Sequence, residues 1–275
     1  MPEAPQDLVM TLLGAHLQPR ERQAWSGGLV ELLGDFGFSA GAARVALTRL
    51  VRRQLLAKVK DGRLVHYTVT PRSAAVFEEG DTRIFALGRG VTEPIPAERA
   101  STGRTQWTVL WHAIPEDEKV ARTRLVRRLR FLGFGPAQDG TWIAPHDRER
   151  EVAVLLRDLG VERYAGVLLG SPAASLDFGS FVNRVWDLDD LAARYQAFVE
   201  QFGGHDPGRL SDREALLLRT RVTHQFRQFP FVDPELPSCL VAPPAHRADA
   251  VRLFHDLYTA LAPAAMRHFD EVMRP

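Results

Sequence analysis

Residues 44–70 carry Arg44, Arg49, Arg52, Arg53, Lys58, Lys60 and Arg63 against a single acid, Asp61, in a chain whose formal net charge is only +1. Side chains of one sign at this density serve to bind a polyanion. A guanidinium fork matches a phosphate or the edge of guanine, and an ammonium meets a phosphate as a point charge. With the whole chain nearly neutral, any such surface must be local.

These residues need elements to hold them. Ser39 is placed to cap a helix over Ala40 to Arg53. On that helix Ala43, Leu47, Leu50 and Val51 share a face bordered by Val45 and Ala46, which leaves Arg44, Thr48, Arg49, Arg52 and Arg53 on the rest. Leu55–Val59 and Leu64–Thr70 alternate apolar and polar residues around Asp61-Gly62, a hairpin signal. Upstream, Asp7 to Leu17 reads as one helix and Ser26 to Leu33, with Ser26 as its cap, as another; Pro19 and the charged residues after it connect them.

Three helices followed by a hairpin make a winged helix-turn-helix over residues 1–72. In that motif the second helix of the pair enters the major groove. Arg44 and Thr48 then meet base edges, Arg49, Arg52 and Arg53 meet phosphates, and Lys58, Lys60 and Arg63 flank the tip of the wing. A merely solvated charged face is the ordinary alternative, and a winged helix used for protein contacts is another. Charge of one sign, repeated on the hairpin, favours double-stranded DNA.

The remainder gives an α+β fold class. Ala74 to Phe85 reads as a helix and Gly88 to Arg104 as a linker, so 73–104 joins two domains. Residues 105–170 run β-α-β-β-α-β, the order of a ferredoxin-like domain. Residues 171–275 are read as a helical C-terminal domain, with helices near 186–202, 211–229 and 248–273. Trp107, Trp111 and Trp142 read as core residues of strands, with one of them lining an aryl pocket as the alternative.

The 275 residues, 45% apolar and 25% charged, suit a globular protein of two or three domains. No apolar run approaches the roughly 18 residues that suggest a bilayer span, and MPEAPQDL lacks a signal-peptide pattern, so a cytoplasmic location without membrane attachment is expected. A single cysteine, Cys239, excludes an internal disulfide framework, and the nine histidines show no metal-ligand spacing. No catalytic residue, metal or cofactor is expected. The helix after the first central strand holds Arg122, Arg124, Arg127, Arg128 and Arg130: a solvated face opposite Val120, Leu125, Leu129 and Leu132, a second DNA surface, or a site for coenzyme A phosphates. Arg219, His224 and Arg227 are candidates for an effector's phosphate or thioester carbonyl, with salt bridges to Asp233 or Glu235 as the structural alternative.

"LLGDFGFSAGAARVALTRLVRRQLL…DGRLVHYTVTP" resembles the N-terminal domain of the phenylacetic-acid catabolon repressor family (PaaX-like). "QWTVLWHAIPED…ARTRLVRRLRFLGFGPAQDGTWIAP" is similar to that family's central domain, itself related in fold to the Cas2 proteins. "VWDLDDLAARYQAFVEQF" and "RTRVTHQFRQFPFVDPELP" are similar to its C-terminal part. The resemblance implies a homodimeric repressor on a palindromic operator, released by an aryl-acetyl-coenzyme A effector such as phenylacetyl-coenzyme A. Two departures stand out: Gln54-Leu55 replaces the family's usual Gly-Trp, and "SCLVAPPAH" lacks its Trp-Pro-Gly. The Cas2 relationship raises a metal-dependent nuclease as the rival, yet the first central strand, "QWTVLWHAI", has no acid in its interior to hold Mg²⁺.

Overall fold

The structure is a computed structural model that describes residues 4–17, 23–88, 106–173, 177–238 and 241–275. The chain forms two compact units: residues 1–85, 200–227 and 251–275 make the first, and 86–199 with 228–250 the second. Cys239 and most of the expected linker lie outside the described residues.

In the first unit, α1 (Pro5–Leu12) starts on a proline at its first turn and runs into a π-helical turn over Leu13–Leu17. A two-residue strand β1 (Ala24–Trp25) then leads into α2 (Ser26–Asp35), followed by α3 (Ala40–Arg52), β2 (Leu56–Asp61), β3 (Leu64–Val69) and α4 (Pro71–Ala86). Ser26 is the first helical residue rather than a cap; Trp25 holds the cap position without a side-chain bond. Ser39 does cap α3, its Oγ accepting from the Ala42 N–H at 3.2 Å. β2 and β3 pair antiparallel with Asp61 opposite Leu64, so the turn is Gly62-Arg63, and Gly62 adopts φ +56°. That left-handed backbone suits glycine at the first turn position. β1 joins on the far side of β3, Ala24 opposite Tyr67.

The core of this unit draws on both ends of the chain. Leu8, Leu12, Leu29, Leu33, Leu47 and Leu50 cluster with Leu216 of α9 (Asp212–Phe226) and with Phe269 and Val272 of α11 (Ala262–Val272). The backbone of Gly28 lies against the Val272 carbonyl so closely that any Cβ there would overlap it. Segments read from sequence as a separate C-terminal domain thus share a core with residues 1–85. The helix expected over 248–273 is two: α10 (Arg247–Ala260) and α11, divided at Leu261 with Pro263 in the new first turn, where a missing N–H costs nothing.

The second unit holds a four-stranded antiparallel sheet of β4 (Trp107–His112), β5 (Gly135–Gln138), β6 (Thr141–Ala144) and β7 (Ala165–Gly170), in spatial order β5-β6-β4-β7. α5 (Lys119–Phe131) and α6 (Glu149–Leu159) cover one face through Leu110, Trp142, Leu125, Leu129, Val152 and Leu156. α7 (Phe178–Val185), which lies outside the helices expected from sequence, packs Val182 on Trp107 and Ile143 of the opposite face. Its Asp177 cap accepts from the Ser180 N–H. Beyond the cover of α7, Trp111 is 44% exposed, lying across Gly166, where a Cβ would overlap its ring. It is not the core residue expected. α8 (Leu188–Phe202) follows.

Candidate nucleic-acid interface

α3 turns Ala43, Ala46, Leu47 and Leu50 inward, all essentially inaccessible. The opposite face then presents Gly41, Arg44, Val45, Thr48, Arg49 and Arg52, and every one is exposed. Arg53 continues the exposed set at the helix end, and Lys58, Lys60 and Arg63 are exposed on the hairpin. Lys58 and Lys60 alternate with Val59, which packs more closely, so both ammonium groups sit on one face of β2.

What these cations share is a lack of counter-charges, on one helix face and the hairpin that follows it. Elsewhere on the surface several arginines pair, Arg122 with Glu116 at 2.8 Å, Arg163 with Glu118 at 3.1 Å, Arg194 with Asp190 at 2.6 Å and Arg267 with Asp212 at 2.6 Å, whereas Arg124, Arg127 and Arg150 make no ion pair among the described residues. Among the described residues, none of Arg44, Arg49, Arg52, Arg53, Lys58, Lys60 or Arg63 makes an ion pair. A face of unneutralised cations is available to an external polyanion without breaking an internal contact. Thr48 is more restricted than its type implies: its hydroxyl donates to the Arg44 carbonyl at 2.8 Å, leaving it as an acceptor.

Three candidates from the sequence have other employment. Arg219 is 4% exposed, donates to the carbonyls of Tyr258 and Ala15 at 3.0 and 3.3 Å, and lies 3.9 Å over the Tyr258 ring. Burial pushes its guanidinium below the usual value, with Tyr258 partly restoring it. His224 Nδ1 and Arg227 Nη1 meet the same Thr11 hydroxyl, at 3.0 and 2.7 Å. All three tie α9 to the segment around α1. Asp233 and Glu235 pair instead with Arg247, at 2.6 and 3.2 Å, and the Tyr195 hydroxyl also donates to Asp233 at 2.6 Å. Burial, then Asp233, raise the Tyr195 phenol well above its ordinary range. The basic helix α5 is mixed: Arg122 is paired, Arg128 stacks over Phe131 at 4.5 Å, and Val120, expected on the inner face, is 61% exposed.

The second unit contains a depression of about 220 Å³ lined by Arg130, Phe134, Trp186, Asp187, Asp190 and Phe231, among others. Asp190 is held by Arg194, and Asp187 accepts from the Asp190 N–H. Arg130, 6.0 Å over the Trp142 ring, has no carboxylate partner among the described residues. The sequence gives no local sign of this place because its walls come from three separated segments, 130–136, 185–191 and 231–234. No group of three or more His, Cys, Asp or Glu able to hold a metal occurs among the described residues, and none of their helices is long and apolar enough to cross a membrane.

The segment carrying the unpaired cations matches a family model. Residues 4–73 match the PaaX-like protein model, 101–186 the PaaX protein central Cas2-like domain, and 186–271 the PaaX-like protein C-terminal domain. The chain belongs to the PaaX-like family. It is 25% identical to the transcriptional repressor PaaX of Escherichia coli strain K12 over a 286-residue alignment covering 98% of this chain and 84% of that one. A solved structure, the uncharacterized protein Rv0674 from Mycobacterium tuberculosis, superposes with a TM-score of 0.55 at 21% identity, over 94% of this chain and 96% of that one, a likeness of fold.

Gln54, where the sequence departs from the Gly-Trp expected from the resemblance, adopts left-handed backbone. Its φ is +57°. The Gln54 N–H donates to the Val51 carbonyl and the Leu55 N–H to the Leu50 carbonyl, both at 2.9 Å, a Schellman closure of α3. Such a closure calls for a left-handed residue at this point, and here a side chain tolerates it.

Proposed function

We propose that this PaaX-like protein is a sequence-specific DNA-binding transcriptional repressor whose α2–α3 pair and β2–β3 hairpin act as a winged helix-turn-helix. The observation that carries the reading is the single-signed, unpaired cation set on the outer face of α3 and on the hairpin. α3 would lie in the major groove, with Arg44 reaching guanine O6 and N7, and with Thr48 accepting from a base amino group. Arg49, Arg52, Arg53, Lys58, Lys60 and Arg63 would hold phosphates and fix register. The E. coli relative is a transcriptional repressor rather than an enzyme, which supports regulation over the nuclease alternative.

Two copies related by a two-fold axis would read a palindromic operator with half-sites about one helical turn, or a multiple, apart. An aryl-acetyl-coenzyme A effector would favour a conformation whose spacing no longer fits the operator. For the effector's ring we favour the depression beside Trp186 and Phe231, with Arg130 facing an anionic or carbonyl group. At about 220 Å³ it suits a ring rather than a whole cofactor, since pockets for drug-sized ligands run roughly 300–1,000 Å³. Titrating phenylacetyl-coenzyme A into the protein–operator complex tests this. Release by the thioester, weakened in Arg130→Ala, is the expected result; equal release from both proteins would remove the effector from this pocket.

A further inference from the structure

Val45 is 50% exposed in the middle of the outer face of α3. It gives nothing to the core, which Ala43, Ala46, Leu47 and Leu50 supply from the other side. A β-branched residue is also a poor choice for a solvent-facing helix position on propensity alone. Its neighbours at helical spacing are Gly41, Thr48 and Arg49, with Arg44 beside it.

We infer that Val45 reads the 5-methyl group of a thymine in the major groove. The inference rests on the DNA-binding reading above and adds the base chemistry of the half-site. Thymine is the base whose major-groove edge presents a methyl group, and an apolar side chain between hydrogen-bonding ones is what selects it. Access is open: a Cβ built on Gly41 would meet only Ser39 Oγ, at 3.9 Å, so nothing crowds the approach to Val45 from the helix start. The flanking groups are chemically distinct. Arg44 offers a donor fork, and Thr48, its proton committed to the Arg44 carbonyl, offers acceptor lone pairs. In order, the face presents donors, a methyl-sized apolar contact and an acceptor. The half-site it fits holds a guanine, a thymine and an amino-bearing base, adenine or cytosine, as near neighbours.

The test uses the full-length protein and an operator recovered by selection. Each thymine is replaced in turn by deoxyuridine, which keeps every hydrogen bond and removes only the methyl group. For the parent, one position per half-site should weaken binding by about fourfold, the worth of one buried methyl group. Val45→Ala, which favours the helix, should bind the thymine operator more weakly and lose the thymine–deoxyuridine difference at that position while keeping its preference for guanine opposite Arg44. Tight parental binding that is indifferent to every such replacement overturns the role of Val45 and leaves the DNA reading standing. Persistence of the difference in Val45→Ala does the same. Failure of the parent to bind any duplex overturns both, and an exposed valine would then fit a protein contact.

Discussion

Replacing Lys58 and Lys60 together by alanine isolates the electrostatic work of the hairpin. Both are exposed, share a face of β2, and have no ion-pair partner among the described residues. Their loss removes charge without leaving a carboxylate stranded, so the fold should be unaffected. Each phosphate neutralised contributes about 0.9 to the slope of log K against log salt, so the double variant should lower that slope by about 1.8 per protomer and about 3.6 for a two-fold dimer. Between 50 and 200 mM salt the parent should lose about tenfold more affinity per protomer than the variant, by the same relation. Fluorescence anisotropy on a labelled operator across that range measures it, and the size of the change also counts protomers. Arg122→Ala, which removes a cation already paired with Glu116, serves as the control and should leave the slope unchanged. A double-variant slope equal to the parent's would refute the assignment of the hairpin to phosphate.

Three further outcomes follow from the geometry. Gln54→Gly should stabilise by about 0.5–1 kcal/mol, because left-handed backbone costs a side-chain-bearing residue roughly 1–2 kcal/mol and glycine gives part of that back as unfolded-state entropy; thermal melting should show a rise of a few degrees, and a fall would contradict the strain argument. Asp233→Ala leaves the buried Arg247 guanidinium with Glu235 alone and the Tyr195 hydroxyl without its acceptor, and should cost about 3 kcal/mol in chemical denaturation, the low end for breaking a buried pair, a loss below about 1 kcal/mol showing that the pair contributes little. His146 is pushed below its ordinary value of 6.5 by burial and by Arg148, against the opposing backbone carbonyls of Glu235 and Pro234. The unfolded chain therefore takes up a proton first, so stability should fall as pH drops below about 6.5; His146→Gln should flatten that fall, and an unchanged pH profile would exclude the residue.

Local signals carried the basic surface, and non-local ones hid much of the rest. Ser39, the apolar stripe of α3 and the turn at Gly62 are decided within a few residues of themselves, so the helix, the hairpin and the direction of the arginines were legible. β1 has two residues and no period to read, and it exists only because β3 offers an edge. α7 is eight residues long within a stretch of glycine, proline and serine that reads as loop; the Asp177–Ser180 cap was its one sequence signal. Pro263 marked the break between α10 and α11 and was readable in principle. Trp107 and Trp142 are the core residues expected, but residue type says nothing of where the covering helix ends, which is why Trp111 is exposed. Arg219, His224 and Arg227 have the types of a ligand site and the positions of a helix-to-helix brace. Only the fold shows that Arg247, not they, faces Asp233 and Glu235.

Selection of bound duplexes from random DNA at physiological salt asks whether this protein reads a sequence at all. Operator binding by a two-fold dimer predicts enrichment of a palindrome whose half-sites lie about one helical turn, or a multiple, apart, with guanine preference at one position relaxed by Arg44→Ala. No enrichment, together with no retardation of duplex DNA even at low salt, would contradict it.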